Sequence, residues 1–268
     1  MTNDFTALRY ERHGSTALLT LDTPANRNAF TPALRDELAR AIAQVRGDAG
    51  VRALVLAGAD GQFCSGGDLR GIADAKLDNA GWRERMQATQ RWFSELILLD
   101  KPVIAAVDGA AYGAGFSLAL AADFVLASPR ARFCMSFLKL GLVPDCGAFY
   151  TLPRAVGAQR ARELMLSARE VGAAEARELG IAMELHAPEQ LLPRALALAE
   201  SFAGASPLAV SLVKRATGDA GALAALLDTE ANVQALAFGS AEHRDAVNRF
   251  LDKKPLAFQW PANKEPSQ

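Results

Sequence analysis

The sequence predicts an α/β fold with a mostly parallel sheet in the first two thirds of the chain and a helical C-terminal region. Three observations lead there. Short apolar, β-branched runs alternate with segments of helical period up to about Ser128, which favours parallel strands joined by crossovers. From Ala158 onward the pattern is nearly all helical. Between them lies KPVIAAVDGAAYGAGFSLALAA, residues 101–122, where a run with the composition of a fully buried strand breaks at Asp108-Gly109 and re-emerges as a helix after Gly113-Ala114-Gly115.

Thr16 to Asp22, TALLTLD, is the first convincing strand, preceded by the polar lead-in MTNDFTALRYERHG. A loop, 23–30, leads to Thr31, an N-cap with Pro32 at the first helical position, and Leu34, Leu38, Ile42 and Val45 then repeat at helical spacing up to Gly47. Val51 to Ala57 is the next strand, so the chain opens with a βαβ-like unit whose crossover should be right-handed. The polar segment Arg70 to Arg83 lacks clean periodicity and reads as a mobile loop over the site. Met86 to Leu99 is helical and is stopped by Asp100-Lys101-Pro102 before the strand Val103 to Val107; Phe124 to Ala127 is another short strand. The tail reads as helices at 159–167, 173–179, 190–202, 208–217, 220–238 and 242–251, set off from the core by a break near Leu185-His186-Ala187-Pro188.

Bulk properties exclude several function classes. The 268 residues suffice for one main domain with a large core. A formal net charge of −1 with intermixed signs gives no nucleic-acid or membrane footprint, and no apolar run approaches the length of a membrane span. Three cysteines, an odd number without metal-ligand spacing, and a polar opening without a targeting pattern point to reduced thiols in a cytoplasmic protein. Cys64, Cys134 and Cys146 read as small hydrophobes, and no metal site is expected.

The chemistry-bearing features are two glycine turns, each directly after a strand. FCSGGDL, residues 63–69, is the first; Gly113-Ala114-Gly115 is the second. A strand passing through glycines into a helix leaves the first helical N–H groups without internal partners. If both turns face one cavity, one N–H from each can grip a single carbonyl oxygen. A dinucleotide-binding reading is weaker, because Leu118 stands where that fingerprint wants its third small residue.

These two turns, together with ARFCMSFLKLGLVPDCGAFYTLPRAVG at 131–157, resemble the crotonase superfamily of enoyl-CoA hydratases and isomerases over nearly the whole chain. The resemblance implies a spiral of ββα units for a core of residues 1–187, which binds acyl-CoA, and a helical region, 188–268, that mediates homotrimers, often paired into hexamers. It implies an acyl-CoA thioester as substrate, no cofactor beyond its CoA moiety, and the amides of Gly67 and Ala114 as the pair that polarises the thioester carbonyl. CoA contacts by carry-over are Arg27, Ala29, Ser65, Gly67, Asp68 and Leu69, with Lys253 or Lys254 for the 3′-phosphate.

The chain departs from the hydratase pattern where that pattern places two glutamates. Ser117 and Phe137 stand there, and neither can do carboxylate work. Instead Asp145, in GLVPDCG, occupies the position that the resemblance assigns to the single proton-shuttling carboxylate of several isomerases, including the ring-epoxide isomerases of phenylacetyl-CoA degradation. Burial beside Val143, Pro144 and Phe137 should raise its proton affinity. An isomerase that stabilises an enolate and moves a proton with Asp145 is therefore expected. An enoyl-CoA hydratase using an unforeseen polar partner, an acyl-CoA hydrolase and a non-catalytic acyl-CoA binder are the alternatives.

For Asp145 the bland reading is a turn residue capping a helix near Gly147. Asp68 reads as ordering its own turn or capping the next helix, Asp123 as closing the central helix and stabilising the strand after it, and Ser117 as a hydrogen-bond donor to substrate and not a nucleophile. His13, His186 and His243 read as solvated, Trp82, Trp92 and Trp260 as packing residues, and Ile72 to Met86 with Phe116 and Phe137 as pocket wall.

Overall fold

A computed structural model describes residues 5–261; the first four residues of the lead-in and the last seven of the helical region lie outside the described part. The main sheet contains β1 (Leu8–His13), β2 (Thr16–Leu21), β3 (Ala53–Gly58) and β4 (Val103–Val107). The second sheet begins at β5 (Ala110–Tyr112), and β6 (Phe124–Ala127) returns to the main sheet. Strand β7 (Arg132–Cys134) and strand β8 (Glu170–Gly172) complete the second sheet, while β9 (Glu184–Leu185) ends the first. The orders are β1-β2-β3-β4-β6-β9 and β5-β7-β8. Apart from the antiparallel β1–β2 hairpin, every pairing in the main sheet is parallel.

The helices are α1 (Pro32–Gly47), α2 (Leu69–Asp74), α3 (Asn79–Ile97), α4 (Ala114–Leu120), α5 (Ala148–Val156), α6 (Ala158–Ser167), α7 (Ala173–Glu178), α8 (Pro188–Glu200), α9 (Pro207–Thr217), α10 (Ala220–Phe238) and α11 (Ala241–Leu251). Strand β3 shows why the parallel strands read as unbroken apolar runs. Leu54 and Leu56 enter the larger core with Leu34, Leu38 and Ile42 of α1, while Ala53, Val55 and Ala57 face Leu191, Ala195 and Ala199 of α8. A strand covered on both faces has no solvent side to mark with polar residues.

The expected strands and the Thr31 cap are present; the Thr31 hydroxyl accepts from the Leu34 N–H at 3.2 Å. Two of these expectations need correction. The lead-in forms a full strand, β1, along the sheet edge. The segment 70–83 is not a loop but α2 and the start of α3, the latter capped by Asp78, whose carboxylate accepts from Gly81 N–H at 2.8 Å. Tertiary packing orders this weakly periodic stretch: Trp82 is buried and stacks on Phe238 of α10, ring centroids 4.1 Å apart. The three-residue strands of the second sheet are too short to leave a two-residue period in the sequence.

Elsewhere, Trp92 is buried as expected, but Trp260 is exposed and His243 is buried, its Nδ1 2.7 Å from the Leu140 carbonyl oxygen. The Asp123 carboxylate braces the strand before the central helix, not the one after it. It accepts from the Val103 N–H at 2.8 Å and pairs with Lys214, fixing the start of β4. Among the described residues no single helix is long and apolar enough to cross a membrane, and no group of three or more His, Cys, Asp or Glu could hold a metal ion.

Candidate active site

The first glycine turn is stitched into the second by backbone bonds. Cys64 N–H donates to the Ala110 carbonyl at 2.8 Å and Tyr112 N–H donates to the Cys64 carbonyl at 3.0 Å, while Phe30 N–H donates to the Gly66 carbonyl at 2.8 Å. The 64–67 segment thus lies between the loop before α1 and strand β5. Contact is close enough to require glycine: a Cβ on Gly66, whose φ is +94°, would lie 2.5 Å from the Tyr112 carbonyl oxygen, and one on Gly115 would lie 2.2 Å from that of Cys64.

Gly67 and Ala114 then line one small cavity, of about 60 Å³, together with Asp145. Among the described residues neither the Gly67 nor the Ala114 N–H has a hydrogen-bond acceptor. Ala114 is the first residue of α4, so its N–H has no intrahelical partner to find. Two larger grooves, of about 850 and 910 Å³, are open surface features that contain none of the expected catalytic residues.

Asp145 is buried, and its two oxygens differ. Oδ2 accepts from Gln234 Nε2 of α10 at 2.9 Å, whereas Oδ1 has no partner among the described residues. Loss of hydration pushes the carboxyl up to about 6, moderated by the Gln234 amide and the neighbouring Cys146 thiol. The chain immediately after it turns through two left-handed residues, Cys146 (φ 59°) and Gly147 (φ 82°). That turn aims the N–H groups of Gly147 and Phe149 at the Glu230 carboxylate of α10, at 2.9 and 3.2 Å. Glu230 is itself fully buried, and burial, with the Asp145 charge nearby, raises it to about 8.

Ser117 does not line the cavity. Its hydroxyl is fully buried and donates to the Asp145 backbone carbonyl at 2.9 Å, so it supports the acid's loop from below. Of the expected wall, Ile72 and Met86 line the cavity, joined by Phe30 and Phe238; Phe116 instead packs on Phe133 in the core, centroids 5.2 Å apart, and Phe137 lies beside Gly113, neither of them in the lining. Cys64, Cys134 and Cys146 are buried free thiols.

Of the residues expected to hold CoA, only Gly67 and Asp68 lie in the cavity. Arg27 is exposed in a left-handed turn (φ 56°), Ala29 is buried, and the Ser65 hydroxyl donates to the Asn26 carbonyl at 3.2 Å. Leu69 begins α2, and Lys253 is exposed after α11, apart from the cavity-lining residues. Sequence reasoning missed four residues: Gln234 and Glu230 behind Asp145, and Arg35 and Arg85, which enter the cavity from α1 and α3.

The enoyl-CoA hydratase/isomerase family model matches residues 11–261. The chain is 38% identical over 247 residues to the 1,2-epoxyphenylacetyl-CoA isomerase of Escherichia coli (strain K12), covering 90% of this chain and 93% of that one. It is 39% identical over 254 residues to a probable enoyl-CoA hydratase of Rhodobacter capsulatus, covering 94% and 97%. Among solved structures, an enoyl-CoA hydratase/isomerase from Cupriavidus metallidurans CH34 superposes with a TM-score of 0.74 at 42% identity, over 98% of this chain and 100% of that one. Sequence and fold thus agree over nearly the whole described chain, which belongs to the enoyl-CoA hydratase/isomerase family.

Proposed function

We propose that this chain is an acyl-CoA isomerase in which Asp145 carries the proton. The thioester carbonyl oxygen accepts from the Gly67 and Ala114 N–H groups, which lowers the cost of the negative charge that develops there when an adjacent carbon is deprotonated. Asp145 Oδ1 takes the proton from one carbon and returns it to another, so the double bond, or a ring epoxide activated by the same thioester, is rearranged without added water. The observation that carries this reading is the asymmetry of Asp145, a cavity-lining residue: one oxygen is anchored by Gln234, and the other is buried without a partner among the described residues. Its raised pKa suits a group that must both accept and return a proton near neutrality.

Arg27 and Lys253 supply cations for the CoA phosphates in this reading. Assembly as a homotrimer, or a dimer of trimers, uses the C-terminal helices; α9 has no buried residue and leaves Leu208, Leu212 and Val213 exposed. A cytoplasmic location accords with the free thiols.

A second reading, hydration of a 2-enoyl-CoA, draws on Asp68, a second carboxylate in the same cavity. The separating experiment follows the conjugated-thioester absorbance of 3-enoyl-CoA and 2-enoyl-CoA with wild type and Asp145→Asn. Conjugation of the 3-enoyl ester by wild type alone supports the isomerase. Consumption of the 2-enoyl ester with oxygen-18 uptake from solvent overturns it.

A further inference from the structure

Arg35 and Arg85 are the features of the cavity that proton transfer leaves unexplained. They come from different helices, α1 and α3, and both line the space that holds Gly67, Ala114 and Asp145. Both are half-buried. Other half-buried arginines have partners: Arg169 is held by Glu163 and Glu175, each at 2.7 Å, Arg83, two residues before Arg85, reaches Asp228 at 3.1 Å, and Arg52 donates to the Ala205 carbonyl. Among the described residues neither Arg35 nor Arg85 is in an ion pair, and neither side chain donates a hydrogen bond. Arg85 lies over the Trp82 ring, 5.0 Å from its centroid, which orients the guanidinium without neutralising it. Asp68 attracts both, but not from ion-pair range.

A guanidinium withdrawn from water loses hydration that only an anion with matching acceptors replaces well. Its planar fork fits a carboxylate through two parallel N–H···O bonds. Partial burial lowers the proton affinity of both arginines, that of Arg85 to about 10, so each remains a cation at neutral pH. The cavity also holds the carboxylates Asp68 and Asp145, but neither pairs with these arginines, and the rest of its wall includes the apolar Ile72, Met86, Phe30 and Phe238.

We propose that Arg35 and Arg85 form an anion-selecting end of the acyl site, and that the substrate is an acyl-CoA whose acyl group ends in a carboxylate. This rests on the acyl-CoA reading of the cavity and makes its substrate class specific. The other source of an anion is CoA itself, whose phosphates could reach the same arginines.

Binding of saturated thioesters separates these sources without requiring turnover. Calorimetric titrations would compare succinyl-CoA with butanoyl-CoA and adipoyl-CoA with hexanoyl-CoA, in wild type, Arg35→Met and Arg85→Met. The CoA moiety is common to each pair and cancels in the ratio. The expected result is a preference of about tenfold or more for the carboxylate-bearing member of at least one pair, falling toward unity in both variants. Equal or weaker binding of the carboxylate-bearing members by wild type overturns the proposal, and needs no variant to fold. A wild-type preference that survives both substitutions, or equal weakening of both members of a pair, also overturns it, the latter assigning the arginines to the CoA phosphates. If 3-enoyl esters are not isomerised yet the preference is present, the isomerase reading fails and this one stands.

Discussion

Gln234 fixes Asp145 through both ends of one amide: Nε2 donates to the Asp145 carboxylate at 2.9 Å while Oε1 accepts from the Val143 N–H at 3.0 Å. Backbone and side chain of the proposed acid are thereby set by one residue of α10. Because the donated bond favours the ionised carboxylate, its removal raises the Asp145 pKa further. Gln234→Ala should lower kcat and shift the acidic limb of the pH–rate profile to higher pH. A profile that falls in amplitude with an unmoved limb would mean that Gln234 serves the fold alone.

Asp145→Asn should abolish isomerisation while sparing stability. The folded carboxyl titrates near 6, above its ordinary value, so the folded state binds the proton more tightly than the unfolded one. Wild-type stability therefore declines as pH rises from about 4 to about 6 and levels off above. The asparagine removes that penalty, on the order of 1–3 kcal/mol at pH 8. Denaturant titrations at pH 4 and pH 8 test this: the variant should gain relative to wild type only at the higher pH.

Glu230 obeys the same sign over a higher window. Its carboxyl is raised to about 8, so the stability it costs grows as pH climbs from the ordinary glutamate range to about 8. Glu230→Gln should flatten the dependence of Tm on pH over this interval. It should also lower kcat, since one acceptor for the Gly147 and Phe149 N–H groups is lost beside Asp145. A Tm profile parallel to wild type would show that Glu230 titrates normally.

Gly66→Ala tests the join between the two glycine turns. The new Cβ would press on the Tyr112 carbonyl at a φ that L-residues rarely adopt, so a stability loss of about 1–3 kcal/mol is expected. Activity should fall beyond what the loss of folded protein explains, because Gly67 and Ala114 move apart. Retained specific activity in the folded fraction would remove the amide pair from the mechanism.

The sequence made the front of the cavity legible and left its back hidden. Gly67, Ala114 and Asp145 sit in short motifs whose residue types are needed locally, so their meeting could be foreseen. Glu230 and Gln234 lie on a helix that reads as generic tail, yet a signal was present. Leu223, Leu227, Glu230, Gln234 and Phe238 follow a three-four spacing along one face, and all are buried. Polar residues inside an apolar stripe mark buried hydrogen bonds, not a solvated side. Arg35 and Arg85 gave no such sign, because a helix-surface arginine and a cavity arginine have the same spacing until α1 and α3 are packed. The order of the start of α3 was hidden for a related reason, since Trp82 gains its partner, Phe238, from the far end of the chain.

The bond between Gln234 and Asp145 spans 89 residues of sequence, which bears on how this chemistry can be transplanted. A loop copied with its aspartate and both glycine turns would carry every recognisable signature and still arrive without its brace. Grafting the reaction onto another scaffold means taking α10 along, and chain shortening that trims this helix should yield proteins that keep the motifs but lose the poise of the acid.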